Sequence, residues 1–133
     1  MEKALKQKLI EAADEARKNA YVPYSGYKVG AALLTADGEI VTGCNIENSS
    51  YTPTVCAERV AIFKAISEGV KDFVAIAVVT DNGGSPCGVC RQVMGEFMLE
   101  GVVLIADKDG NLLEEMTVSD LLPRAFTSKH LDH

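Results

Sequence analysis

Apolar residues recur at three- and four-residue steps over residues 2–20, where Leu5, Leu9, Ala12, Ala13, Ala16 and Ala20 share one face. The spacing predicts an amphipathic helix, ended by Asn19-Ala20-Tyr21-Val22-Pro23 because the residue before a proline disfavours helix. Tyr27 to Leu34 then reads as a strand. Asp37-Gly38 is a hairpin turn signal that returns Glu39 to Ile46 as its partner. Residues 56–68 predict a second helix bearing Val60, Ile62, Phe63 and Ile66, with Gly69 as its stop. Phe73 to Thr80 is a near-continuous apolar run, the pattern of a strand covered on both faces. Residues 87–99 predict a third helix ended by Gly101, followed by a strand from Val102 to Ala106. Asp109-Gly110 turns the chain into Leu112 to Met116, an antiparallel neighbour. Thr117-Val118-Ser119-Asp120 resembles a capping box for a short helix that Pro123 ends, and the polar tail after Phe126 is expected to fray.

The element order is thus α-β-β-α-β-α-β-β-α. Two strand–helix–strand units are expected to be right-handed crossovers onto a shared sheet. Hairpins at both ends make that sheet mixed. The expected fold is an α/β, three-layer α/β/α sandwich around a mixed five-stranded sheet. With 133 residues and no repeat, linker or low-complexity stretch, residues 1–133 form a single domain with a polar C-terminal tail from about 127.

Composition narrows the function classes. Hydrophobic residues make up 47% and charged residues 24%, the balance of a soluble globular protein. No apolar run reaches 18 residues, so neither a transmembrane helix nor a membrane partner is expected. Residues 1–8, MEKALKQK, lack the apolar segment of a signal peptide, which makes the cytoplasm the expected compartment. Four cysteines there read as metal ligands or catalytic groups in preference to disulfides. The formal charge is −6 and no Lys/Arg stripe exists to neutralise successive phosphates, so no nucleic-acid partner is expected.

The chemistry is concentrated in Cys56-Ala57-Glu58-Arg59 and Pro86-Cys87-Gly88-Val89-Cys90. Both runs fall at predicted helix starts, where the helix dipole lowers a thiol pKa and favours the thiolate that binds metal. Cys87 and Cys90 are three apart, so one helical turn aims both at one ion. A Cys-x-x-Cys pair alone also suits a redox couple, a structural zinc half-site or two small buried residues. Cys56 at a second helix start, with Glu58 two residues on, favours a catalytic Zn2+ held by three thiolates with its fourth position left to water. Cys44, in mid-strand, reads as a core or strand residue, and His130 and His133 as part of a solvated terminus. Glu58 suits a favourable carboxylate at a helix N-terminus, or a general base that carries a proton from water to a leaving group. Three thiolates leave the ion with net negative charge, and Arg59 is placed to offset it by donating hydrogen bonds to sulfur.

These residues resemble the small, homotetrameric cytidine deaminases. The resemblance rests on Tyr24-Ser25-Gly26-Tyr27-Lys28-Val29-Gly30-Ala31-Ala32, on Gly43-Cys44-Asn45-Ile46-Glu47-Asn48, and on the two cysteine runs extended to Arg91-Gln92-Val93. It continues to Leu121-Leu122-Pro123-Arg124-Ala125-Phe126, so it covers roughly residues 1–127 in order. The resemblance implies hydrolytic deamination of cytidine and 2′-deoxycytidine to uridine and 2′-deoxyuridine in pyrimidine salvage, with one zinc per subunit. It implies that Asn45 and Glu47 bond the ribose, that the backbone at Ala57 and near Cys87 reads the base edge, and that Glu58 protonates N3 and then the departing amino group. Tyr27 stands where the family usually has phenylalanine beside the base. Tyr51 and Phe126 match residues that complete a neighbouring subunit's pocket, which implies a homotetramer with shared active sites and a small pyrimidine nucleoside as ligand. On their own, Asn45 and Glu47 also suit a solvated strand end, and Gly30 and Gly43 read as strand glycines that admit a close backbone approach.

Overall fold

In the computed structural model, which describes residues 1–131, the elements follow the expected order. They are α1 (Lys3–Arg17), β1 (Gly30–Thr35), β2 (Ile40–Cys44), α2 (Ala57–Ser67), β3 (Phe73–Thr80), α3 (Gly88–Met98), β4 (Val102–Asp107), β5 (Leu112–Thr117) and α4 (Val118–Leu121). The five strands form one mixed sheet in the order β2-β1-β3-β4-β5, with β3 and β4 parallel and the other pairs antiparallel. The hairpin partner β1 therefore separates β2 from β3, and the crossover through α2 spans it. Because β2 and β3 each lie antiparallel to β1, they run the same way, and the helices after them start at the same end of the sheet.

Alternation along the strands divides the core into two layers. Ala32, Leu34, Ala75, Ala77, Val79, Leu104 and Ala106 face Leu9, Ile10 and Ala13 of α1. Ala31, Leu33, Ile76, Val78, Val103 and Ile105 face Ala61, Ile62 and Ala65 of α2, Met94 of α3 and Val118 of α4. The result is the expected three-layer sandwich. Strands β1, β3 and β4 are buried over most of their length, which accounts for their apolar runs.

The larger differences from the expected boundaries have local reasons, and β2 too is shorter, ending at Cys44 and not Ile46. The first helix stops at Arg17 instead of Ala20, and Tyr21 leaves it to donate its N–H to the Asn45 carbonyl. β1 opens at Gly30, not Tyr27, because the Asn45 side chain takes the ladder's place. Its Nδ2 donates to the Tyr27 carbonyl at 2.9 Å and its Oδ1 accepts from the Val29 N–H at 3.0 Å. Beyond Phe126 the chain does not fray at once. Ser128–His130 forms a 3-10 turn capped by Thr127, and the His130 ring stacks on Phe126 at 5.4 Å. His133 lies outside the described residues. The capping box holds as expected: Thr117 accepts from the Asp120 N–H while Asp120 accepts from the Thr117 N–H.

Two glycines seat helices directly on the sheet. A Cβ on Gly30 would lie 1.9 Å from the Ala13 carbonyl oxygen of α1. One on Gly43 would lie 2.6 Å from the Ala57 carbonyl oxygen and 2.7 Å from the Ala61 nitrogen of α2. These are backbone obstacles that cannot rotate aside. Gly43→Ala is therefore expected to lift the α2 N-terminus, which carries Cys56 and Glu58, and to cost on the order of 3 kcal/mol by overpacking. Urea denaturation together with zinc content checks both effects; a variant with wild-type stability and zinc would contradict the close contact.

Candidate metal centre and adjoining cavity

Cys56 and Cys87 occupy the N-cap positions of α2 and α3, and Cys90 lies in the first turn of α3. The parallel course of β2 and β3 brings these two helix starts together. The three Sγ atoms lie within 4.8 Å of one another, with Cys56 and Cys87 3.7 Å apart. Sulfurs about 2.3 Å from a tetrahedral ion stand about 3.8 Å apart, so the spacing and the all-thiol donor set fit zinc. Cys44 lies outside the cluster at the end of β2, where burial raises its thiol pKa, consistent with a strand residue.

The thiols divide their protons unequally. Donation from Cys90, helped by Arg59 and Cys87, pulls Cys56 down to about 5, while the same contact and burial push Cys90 up. Arg59 Nη2 donates to Cys56 Sγ at 3.5 Å, one helical turn along α2. Its own pKa rises through that contact, and among the described residues its buried Nε has no hydrogen-bond partner.

Beside the cluster lies a cavity of about 270 Å3. Glu58 lines it while only 4% exposed, and burial pushes its carboxyl up to about 7. A carboxyl poised near neutrality can both accept and return a proton at working pH. One wall is formed by Ser25, Tyr27, Val29, Asn45 and Glu47, and the other by Thr80, Gly84, Ser85 and Cys87. Glu47 Oε1 accepts from the backbone N–H groups of Tyr24 and Ser25, and Oε2 accepts from the Ser25 hydroxyl. The Ser25 hydroxyl bond, foremost among these, holds the carboxyl below its usual pKa range. A carboxylate offers about four acceptor positions, so Glu47 keeps one for a ligand, and Asn45 keeps one free N–H.

The expected site residues separate into two groups. Tyr27, Asn45, Glu47, Cys56, Glu58 and Cys87 all line the cavity. Ala57, fully buried at the start of α2, does not line it. Tyr51 and Phe126 do not line it either. Tyr51 is 83% exposed on a loop with φ 65°, and Phe126 is 57% exposed, its carbonyl accepting from Gln92. Sequence reasoning passed over Ser25, Thr80, Gly84 and Ser85 as lining residues. Ser25 stood inside a recognised motif without an assigned role. The loop after β3 carried only a glycine pair as a signal.

The cytidine and deoxycytidylate deaminase zinc-binding region matches residues 3–106. The cytidine deaminase of Sporosarcina psychrophila is 53% identical over 130 residues, 96% of this chain and 95% of its own. That of Halalkalibacterium halodurans is 52% identical over 96% of this chain and 98% of its own. Among solved structures, cytidine deaminase from Burkholderia pseudomallei superposes with a TM-score of 0.86 at 46% identity, covering 95% of this chain and all of that one. With three convergent thiols, a buried carboxyl beside them and likeness along nearly its whole length, this chain belongs to the cytidine deaminase family.

Proposed function

We propose that the protein hydrolyses cytidine and 2′-deoxycytidine to uridine and 2′-deoxyuridine with release of ammonia, as a step of pyrimidine salvage in the cytoplasm. The observation that carries this reading is the buried Glu58 carboxyl, held near neutral pKa in the cavity that the cysteine cluster borders. Cys56, Cys87 and Cys90 would hold zinc, which when bound would supply the Lewis acidity that makes water nucleophilic near neutral pH. Glu58 takes a proton from the attacking water, delivers it to N3 of the base, and carries a second to the departing amino group. Arg59 donates to the Cys56 sulfur and so offsets the negative charge of the thiolates. Asn45 and Glu47 use their remaining hydrogen-bond positions on the ribose hydroxyls. The Tyr27 ring and the backbone near Cys87 flank the base, and Ala57 contributes through its backbone.

Tyr51 and Phe126, exposed and not part of the lining of their own subunit's cavity, are suited to close the cavity of a neighbour. The assembly we infer is a homotetramer with shared sites, built from chains that each fold as one domain. Among the described residues no helix is long and apolar enough to cross a membrane.

The test is an absorbance and ammonia assay of zinc-loaded protein against a panel of cytidine, deoxycytidine, cytidine 5′-monophosphate, guanine and an aminopyrimidine nucleoside antibiotic. The two nucleosides are expected to turn over at least about 100-fold faster than the monophosphate, because an ionised Glu47 and a net charge of −6 oppose a dianion. Turnover confined to guanine or to the antibiotic would replace this reading.

A further inference from the structure

The side chain of Tyr27 does more than present a ring to the cavity. Its hydroxyl donates to Asn82 Oδ1 at 2.8 Å, across 55 residues of sequence. Tyr27 lines the cavity, and Asn82 sits in the loop after β3 whose Gly84 and Ser85 also line it. Residues 24–29 enter from the first helix, and their backbone is pinned by Asn45 and by the Ser25–Glu47 pair. Residues 81–86 follow β3, and their far end is pinned to the Thr80 hydroxyl through the Gly84 N–H. Arg91 holds the same end by donating to the Ser85 hydroxyl and the Pro86 carbonyl. The phenol–amide bond joins these two fixed segments, both of which contribute lining residues to the cavity.

Of the two glycines in the loop, only Gly84 adjoins that bond. Gly83 has φ 75°, and a Cβ there would lie 2.2 Å from Leu113 Cδ1. Gly84 is not in the left-handed region. A Cβ there would meet one close atom, the Tyr27 hydroxyl oxygen at 2.6 Å, with the next at 3.8 Å. The sequence therefore leaves room at residue 84 for an oxygen that phenylalanine at position 27 would not carry. We propose that the Tyr27–Asn82 bond is a tie that fixes the distance between the two walls of the nucleoside cavity, making Tyr27 and Asn82 positioning residues and Gly84 the space in which the tie sits. The tie preorganises the cavity, so its loss falls mainly on substrate affinity. The kinetic form of this inference rests on the cytidine reading above.

The experiment compares Tyr27→Phe, Asn82→Ala, Gly84→Ala and the doubles Tyr27→Phe/Asn82→Ala and Tyr27→Phe/Gly84→Ala as zinc-loaded protein. Tyr27→Phe is expected to raise KM for cytidine roughly 3- to 10-fold, the effect of one lost hydrogen bond, with a smaller change in kcat. Asn82→Ala should match it, and the double with Asn82→Ala should be no worse than the larger single, because both remove the same bond. Gly84→Ala should raise KM further, and adding Tyr27→Phe should bring it back to the Tyr27→Phe value. Wild-type KM in Tyr27→Phe, or equal harm from Gly84→Ala in both backgrounds, would overturn the tie. If the wild-type protein leaves cytidine intact, the substrate reading fails by itself. Thermal melts of the same proteins then decide the tie, since rescue of Gly84→Ala by Tyr27→Phe supports it and absence of rescue rejects it.

Discussion

Glu58→Gln is expected to lower kcat for cytidine by about 10^4-fold while leaving one zinc per chain, the upper end of what a general acid–base group contributes. The amide keeps the shape and the hydrogen-bonding capacity of the carboxyl but cannot carry a proton, and Glu58 is asked to carry one twice in each turnover. Steady-state assay with zinc quantified on the same sample checks this; a loss smaller than tenfold would assign the proton transfers to another group. The variant should also reveal what the site costs the fold. Burial raises the Glu58 carboxyl from 4.5 to about 7, so between those values the folded chain holds a proton that the unfolded chain has released. Stability from this group is complete below about pH 4.5 and is lost as pH rises toward 7. Glutamine does not titrate, so the melting temperature of Glu58→Gln should exceed that of the wild type at pH 8 and approach it at pH 5.

Stripping the ion with a strong chelator is expected to abolish turnover and to lower the melting temperature, and one equivalent of zinc should restore both. A ligand that binds only the folded state stabilises it by RT ln(1 + [L]/Kd), so the melting temperature should track free zinc. Cys90→Ala should hold zinc far less tightly, because it removes the buried member of the trio and leaves two sulfurs. Full activity after chelation would point to a redox or purely structural role for Cys87 and Cys90. Stable zinc with undiminished biological function in Glu58→Gln would instead favour a binding module.

Most of the fold was legible because local signals and tertiary environment agree. The apolar run at Phe73–Thr80 is long, flanked by polar residues and buried on both faces, and it became β3 without a shift in either boundary. The sulfur cluster was legible because helix periodicity places Cys87 and Cys90 one turn apart, and sheet topology starts α2 and α3 at the same end. What the sequence concealed depended on side chains acting as backbone. Asn45 substitutes for a ladder partner, so β1 and β2 are shorter at that end than their apolar pattern suggests. The Tyr27–Asn82 bond joins residues whose separation carries no periodic signal. Tyr51 and Phe126 were recognised by likeness to a family, and no pattern of hydrophobicity would have marked their positions, which are exposed and outside the lining of the cavity.

The strand order has a bearing on how the chain is made. β3 lies between β1 and β4, although it is third to be synthesised, so the β1–β2 hairpin waits with an open edge until Thr80 has emerged. At ordinary ribosomal speeds of 5–20 residues per second, the interval from Cys44 to Thr80 is about 2–7 s. Cys87 and Cys90 follow later still. Zinc capture on the nascent chain thus waits for Cys90, and until then Cys56 travels without the two thiols it converges with.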